Sequence, residues 1–206
     1  MVICCLGDSL TEGDYGIFGK TGMGNVQEKN YPYFLAKSTG ATVKNYGKCG
    51  YRTIHYLDYY NEGNIDVTDA DIIVLMIGTN GGHSKEGNSD NDKAYITLVE
   101  KLRAAAPKAK LAVCTPPHVT ENEFYSNCGY AGQVADAVYA VREAAKKLSL
   151  PLIDVAAFPV FCAESEELFQ SNDGLHFNEL GYRVLAAFIE ANLKKLFPNI
   201  FNYERK

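Results

Sequence analysis

Four short segments carry side chains suited to nucleophilic chemistry. In Leu6-Gly7-Asp8-Ser9-Leu10-Thr11-Glu12-Gly13 a serine follows an apolar run directly. A serine at the carboxyl end of a strand, beginning a turn into a helix, presents its hydroxyl to a cleft, and its backbone N–H points toward any negative charge that develops there. The competing reading is a Gly-Asp-Ser turn in which Asp8 or Ser9 merely caps the helix. Serine is a weak nucleophile without a base. Asp173-Gly174-Leu175-His176, ahead of Phe177-Asn178-Glu179-Leu180-Gly181-Tyr182, offers one. His176 would take the proton, and Asp173 would fix its tautomer and stabilise the imidazolium. The alternative is a turn aspartate beside a surface histidine. Gly78-Thr79-Asn80-Gly81 supplies an amide donor for an oxyanion, or else a plain Asn-Gly turn. In Asn45-Tyr46-Gly47-Lys48-Cys49-Gly50-Tyr51-Arg52, Gly50 would let a backbone N–H approach a ligand with no Cβ in the way.

Each segment needs a strand end to sit on, and the apolar pattern supplies them. Val2–Leu6, Ile72–Ile77 and Leu111–Cys114 lack alternation, as strands covered on both faces should. Thr42–Asn45 and Leu152–Val155 are weaker runs in the same placement. Tyr95, Leu98, Val99 and Leu102 repeat at helical spacing before Pro107, and Val134, Val138, Val141, Ala145 and Leu148 before Pro151. A final helix starts at the cap Asn178, with Leu180, Val184, Leu185, Phe188 and Ile189 expected on its inner face. Pro32 and Gly40 suit the first turn and the end of a helix from Tyr31, and Thr53–Tyr60 reads as another. Strand and helix alternating about five times predict an α/β fold, a three-layer α/β/α sandwich around a mainly parallel sheet of about five strands. Residues 1–206 read as a single domain. The loops Gly13–Asn30, Gly81–Asp92 and Thr115–Gly129 should gather beyond the carboxyl ends of the strands, where such sheets bind ligands.

Taken together, the four segments fall at the ends of predicted strands or beside the same cleft, in the order nucleophile, two donors, then acid and base. This constellation resembles the SGNH hydrolase superfamily, the GDSL-type esterases and lipases, from Gly7 to Tyr182. The resemblance implies a flavodoxin-like sandwich. It implies Ser9 as nucleophile, His176 as base oriented by Asp173, and an oxyanion hole of the Ser9 N–H, Gly50 and Asn80. The implied activity is hydrolysis of acyl esters through an acyl-enzyme, with no metal and no organic cofactor. Two departures stand out. The family's third block commonly reads Gly-x-Asn-Asp, whereas Gly81 stands at the second acid. The second block is loosely matched, and Gly47 competes with Gly50, whose offset from the strand fits the family better. An acyltransferase on the same triad and a non-catalytic flavodoxin-like binding domain are the alternatives.

Composition narrows the partners. Twenty Lys plus Arg against twenty-five Asp plus Glu give a net charge of −5, and no basic run suits nucleic acid. No apolar stretch approaches the ~20 residues of a membrane span. Met1 leads straight into Val2-Ile3-Cys4-Cys5 with no Lys or Arg before the apolar run, unlike a signal peptide, so a cytoplasmic location is expected. The six cysteines form no CxxC pair and read as reduced thiols. His55, His83 and His118 have no second metal ligand at useful spacing. Asp8, Tyr15, Tyr51, His118 and Tyr125 are the candidates for substrate contact. Fourteen tyrosines and no tryptophan suit a small-molecule or carbohydrate ester, since tyrosine joins an apolar face to a polar tip. With no long apolar lid evident in Gly13–Asn30 or Thr115–Gly129, short, acetyl-type acyl groups are expected. Nothing in the sequence sets an oligomeric state. Phe197, Ile200, Phe201 and Tyr203 are expected to pack back on the core.

Overall fold

The non-alternating apolar runs become the centre of one parallel sheet. The computed structural model describes residues 1–15, 29–171 and 173–201. Strands β1 (Val2–Gly7), β2 (Thr42–Gly47), β3 (Ile72–Met76), β4 (Lys110–Cys114) and β5 (Leu152–Ile153) lie in the order β2-β1-β3-β4-β5. Every neighbouring pair is parallel. All of β3 is buried, as is β1 after Val2, while the edge strand β2 is at most half-buried. That gradient is why β1 and β3 read as continuous apolar runs and β2 does not.

Helices cover both faces, giving the three layers expected. Ile3, Cys5, Ile72, Val74 and Met76 point into a core shared with α2 (Tyr31–Thr39) and α7 (Glu179–Leu196). Cys4, Leu6, Ile73 and Leu75 point the other way, toward α3 (Thr53–Asn61), α4 (Asp90–Ala105) and α5 (Ala131–Lys147). Adjacent Cys4 and Cys5 thus serve opposite cores, as the two-residue period of a strand demands. Caps set the helix limits. Asn30 accepts from the Tyr33 N–H at 2.8 Å, and Gly40 ends α2 at φ +68. Ser89 and Asp92 form a reciprocal capping box at the start of α4.

Three details differ from the sequence reading or complete it. Leu180, the second residue of α7, is 44% exposed, whereas Leu185 and Ile189 are buried together with Tyr182, Ala186 and Leu193, and Val184 and Phe188 pack against the same core. Strand β5 stops at Ile153 because Asp154 turns its carboxylate to Arg142 and Thr115, and residues 155–157 wind into a 3-10 turn. Phe197, Ile200 and Phe201, the latter two in the short α8 (Pro198–Phe201), pack back on the α2–α7 core; Tyr203 lies outside the described residues. Among the described residues no helix is long and apolar enough to cross a membrane.

From β2 the chain crosses β1 to reach β3, so the winding reverses between β1 and β3. Sheets wound this way bind ligands beyond the carboxyl ends of the strands at such a reversal, and Ser9, Gly50 and Asn80 lie on the segments that follow β1, β2 and β3.

Candidate active site

Ser9 begins α1 (Ser9–Glu12) immediately beyond β1 and is 3% exposed. Gly7 allows this approach: a Cβ there would lie 2.0 Å from the Met76 carbonyl oxygen on β3 and 2.3 Å from Thr11 Oγ1. Asp8 caps the helix. One carboxylate oxygen accepts from the Leu10 N–H and the other from the Thr79 N–H, each at 3.2 Å. Its side chain therefore ties the end of β1 to the end of β3. Burial pushes the Asp8 carboxyl above its ordinary range, against the lowering pull of those N–H donors. Asp8 is fully buried, and its carboxylate is engaged as cap and brace.

His176 and Asp173 sit on a tight loop ahead of α7. A bridge between Gln170 and Phe177 closes it, and the Ser171 N–H donates to the His176 carbonyl at 2.7 Å. Asp173 Oδ1 accepts from Ser171 Oγ at 2.8 Å and from the Leu175 and His176 N–H groups at 3.0 Å. Oδ2 is left for His176 Nδ1 at 2.6 Å, and His176 Nε2 lies 2.9 Å from Ser9 Oγ. A carboxylate only accepts, so Nδ1 carries the proton and Nε2 accepts from the serine hydroxyl. Burial alone would raise the Asp173 carboxyl, but the donors from His176 and the loop N–H groups hold it below its ordinary value. The structure thus brings Ser9, His176 and Asp173, 167 residues apart at the extremes, into one hydrogen-bonded line.

The two candidate donor segments follow β2 and β3. Asn80 Nδ2 donates to the Tyr51 carbonyl at 3.0 Å, which uses one of its two amide hydrogens. Gly50 adopts φ +74. Among the described residues neither its N–H nor that of Ser9 has a hydrogen-bond partner. Gly47 does different work. Its N–H bonds Asn45 Oδ1 at 2.8 Å, and a Cβ there would lie 2.0 Å from the Glu12 nitrogen. Gly47 is therefore the contact point between β2 and α1, and Gly50 is the one with a disengaged N–H.

Sequence reasoning missed three groups around this line. Asp14, buried one turn beyond Ser9, places Oδ2 3.8 Å from His176 Nε2 and accepts from Cys49 Sγ at 3.3 Å. Glu12 accepts from the Cys49 N–H. Burial, then the Asp14 carboxylate, push the Cys49 thiol up to about 12. His83, read as an ordinary loop histidine, has a fully buried side chain between Asp92 and Thr53. For Asp14 the only signal was its spacing from Ser9; for the others there was none.

The remaining candidates are placed as follows. Tyr15 is 6% exposed, donates to the Lys29 carbonyl at 2.7 Å and packs on Tyr182. Tyr51 stands edge-on to His55 and Tyr59. Tyr125 packs against the Gly174 turn beside Asp173. His118 pairs its Nε2 with Glu166 at 2.7 Å, and Glu166 also accepts from Thr120. Residues 16–28 of the Gly13–Asn30 loop lie outside the described residues. Among the described residues no group of three or more His, Cys, Asp or Glu side chains is placed to hold a metal ion.

Comparison with known proteins gives a matching picture. A model of the GDSL-like lipase/acylhydrolase family matches residues 5–184. The chain is 25% identical over 167 residues to the isoamyl acetate-hydrolyzing esterase of Schizosaccharomyces pombe, a match covering 77% of this chain and 64% of that protein. It therefore spans less than two thirds of that relative's length. Among solved structures, a lipase/acylhydrolase from Enterococcus faecalis superposes with a TM-score of 0.72 at 22% identity, over 95% of this chain and 96% of that one. A carbohydrate acetylesterase family member from Sinorhizobium meliloti does so at 0.68 and 20%, over 96% and 99%. At these identities the two structures speak for the fold.

Proposed function

The chain belongs to the GDSL-like lipase/acylhydrolase family, and on that premise we propose that it is a serine esterase of short-chain, acetyl-type esters. The observation that carries the proposal is the Ser9–His176–Asp173 line, with 2.9 Å and 2.6 Å links. His176 Nε2 takes the Ser9 proton as Oγ attacks the ester carbonyl, and the Asp173 carboxylate stabilises the imidazolium. The tetrahedral oxyanion is met by the Ser9 and Gly50 N–H groups and the second amide hydrogen of Asn80. Collapse expels the alcohol, protonated by His176, and leaves an acyl-enzyme. Water activated by the same histidine then releases the acid. This chemistry needs neither metal nor organic cofactor.

Short acyl groups are favoured because the 115–130 segment folds onto the Asp173 turn, through Thr120 N–H to the Gly174 carbonyl and Asn127 N–H to the Asp173 carbonyl, and forms no long apolar lid among the described residues. A small-molecule or carbohydrate acetate agrees with the names of the Schizosaccharomyces pombe and Sinorhizobium meliloti proteins. The six unpaired cysteines suit a reducing compartment such as the cytoplasm, and we read the chain as a single catalytic unit.

The test is a panel of p-nitrophenyl esters and acetylated sugars, run on wild type and Ser9→Ala. Acetate and butyrate should turn over faster than palmitate, and Ser9→Ala should lose about 10⁴–10⁶ in kcat. A fluorophosphonate should label wild type and not the variant. Inactivity of wild type on every ester, or labelling that persists in Ser9→Ala, would overturn the assignment.

A further inference from the structure

The segment that carries Asn80 contains two successive glycines in left-handed backbone, Gly81 at φ +72 and Gly82 at φ +87. Such a stretch is conformationally permissive, yet an oxyanion donor must not drift, since misplacement by about 1 Å can cost about 10²-fold. The Gly81 N–H reaches only back to the Gly78 carbonyl, at 3.0 Å. The firm anchor is one residue further on.

His83 has no exposed side-chain surface. Its Nδ1 lies 2.8 Å from Asp92 Oδ1, and its Nε2 lies 3.0 Å from Thr53 Oγ1. Because the carboxylate can only accept, Nδ1 bears the proton, and Nε2 accepts from the Thr53 hydroxyl. Both partners are themselves held. Asp92 Oδ2 accepts from the Ser89 N–H at 2.9 Å, Ser89 Oγ at 2.7 Å and Ser84 Oγ at 3.0 Å. Thr53 opens α3 two residues after Tyr51, whose carbonyl receives the Asn80 amide. Arg52 Nε donates to the Asn80 carbonyl at 3.1 Å, and the Ile54 N–H to Asn91 Oδ1 at 3.1 Å. Asn80 is thus tied to the start of α3, and His83, three residues on, is the side chain that links this loop to both α3 and α4. Burial, outweighing the Asp92 carboxylate, keeps the imidazole below its ordinary range, which preserves the acceptor at Nε2.

We infer that His83 is a positioning residue, the clasp by which Asp92 and Thr53 hold the Asn80 turn in place to receive the oxyanion. The inference rests on the esterase reading above, in which Asn80 is a donor. It also accounts for a family member that has glycine at 81, where a second acid commonly stands.

A mutant cycle on p-nitrophenyl acetate tests it. His83→Ala should lower kcat about 10–10²-fold with KM within about threefold, because only the transition state uses the donor. Asn80→Ala should lower kcat about 10²–10³-fold. In the Asn80→Ala background, His83→Ala should then cost less than about threefold, because the group it positions is already gone. Full additivity would overturn the clasp and leave His83 a core residue. Thr53→Val, which removes only the hydroxyl, should reproduce part of the kcat loss, and serves if His83→Ala does not fold. Hydrogen exchange of residues 78–84 reads the clasp without catalysis. It should rise about tenfold or more in either variant while the strands stay protected. Faster exchange with a wild type inactive on esters would sink the esterase reading and spare the clasp. Unchanged exchange would sink the clasp whatever the activity.

Discussion

Replacing Asp173 by asparagine exchanges one carboxylate oxygen for an NH₂ group, yet the structure dictates a large effect. Oδ1 accepts three donors: Ser171 Oγ at 2.8 Å and the Leu175 and His176 N–H groups at 3.0 Å. An NH₂ turned to that position would face two backbone donors, each left unsatisfied at about 1–3 kcal/mol. The carboxamide oxygen must therefore stay there, and the NH₂ must take the place of Oδ2, 2.6 Å from His176 Nδ1. Nδ1 then has to accept, so the ring proton moves to Nε2 and points at Ser9 Oγ, 2.9 Å away. The base faces its nucleophile already protonated. With the wrong tautomer imposed and the geometry intact, kcat should fall about 10⁴-fold, or about 5 kcal/mol of barrier. The loop keeps its three Oδ1 bonds, so the variant should still melt cooperatively. Asp173→Ala is a poorer probe because it also unties that loop. The assay is steady-state hydrolysis of p-nitrophenyl acetate near neutral pH, beside a thermal melt. A folded Asp173→Asn enzyme within about tenfold of wild type would refute the argument, since either His176 would not be the base or Asp173 would not set its tautomer.

Two further predictions follow from buried groups. Because burial holds His83 below its ordinary range, the unfolded chain takes up a proton near pH 6.5 that the folded protein does not. Its contribution to stability is therefore level above that pH and declines as the pH falls, by at most about 1.4 kcal/mol per unit. Urea titrations of wild type and His83→Gln between pH 5 and 7 should show a shallower decline in the variant; Asp92, held low, titrates below that window, and equal slopes would refute the assignment. The two glycines of the second donor segment should separate cleanly. Gly47→Ala forces a Cβ to within 2.0 Å of the Glu12 nitrogen and should fold poorly or not at all. Gly50→Ala has no atom within 4 Å of the new Cβ and should fold, losing only about 1–2 kcal/mol to left-handed strain. Chemical denaturation of the pair reads this directly, and equal losses would contradict the division of labour.

How much of this was legible in the sequence depends on how local each signal is. The order of strands and helices is written in apolar spacing, because burial on one or two faces imposes it residue by residue. The strand that came out short, β5, ended where Asp154 found Arg142 and Thr115, partners 12 and 39 residues away. Ser9, Asp173 and His176 were legible because a nucleophile, a base and its orienting acid would have to be those residue types, with the serine at a strand end and the Asp-x-x-His pair on a loop entering a helix. The bracing residues carry no such constraint. Asp8 looked like a cap that could also touch substrate, and its second oxygen's partner, Thr79, is 71 residues off. His83 looked idle because Thr53 and Asp92 become neighbours only when α3 and α4 pack. Tyr15 had the right type in the right loop, and only its burial against Tyr182 shows that it faces inward.

The braces also divide the site into two bodies with different mechanical demands. Ser9, Gly50 and Asn80 stand on segments knotted to one another through Asp8 to Thr79, Asn80 to Tyr51, Arg52 to Asn80, and His83 to Thr53. The base loop is fastened elsewhere, by Thr120 and Asn127 to the Gly174 and Asp173 carbonyls and by Gln170 Nε2 to the His118 carbonyl. Beyond the Ser9–His176 bond, the bodies meet where the Tyr182 hydroxyl donates to the Asp14 carbonyl. An oxyanion forms within bonding distance of fixed dipoles and gains most if none of them has to reorganise. The histidine, by contrast, must serve Ser9 Oγ in one step and the leaving or attacking oxygen in the next, and so needs a small amplitude of motion. A site in which one body carried both tasks would have to compromise. Here the proposed donors share one hydrogen-bonded network while His176 rides on its own loop, so loosening the first should cost kcat at fixed KM, as the His83 cycle is built to detect.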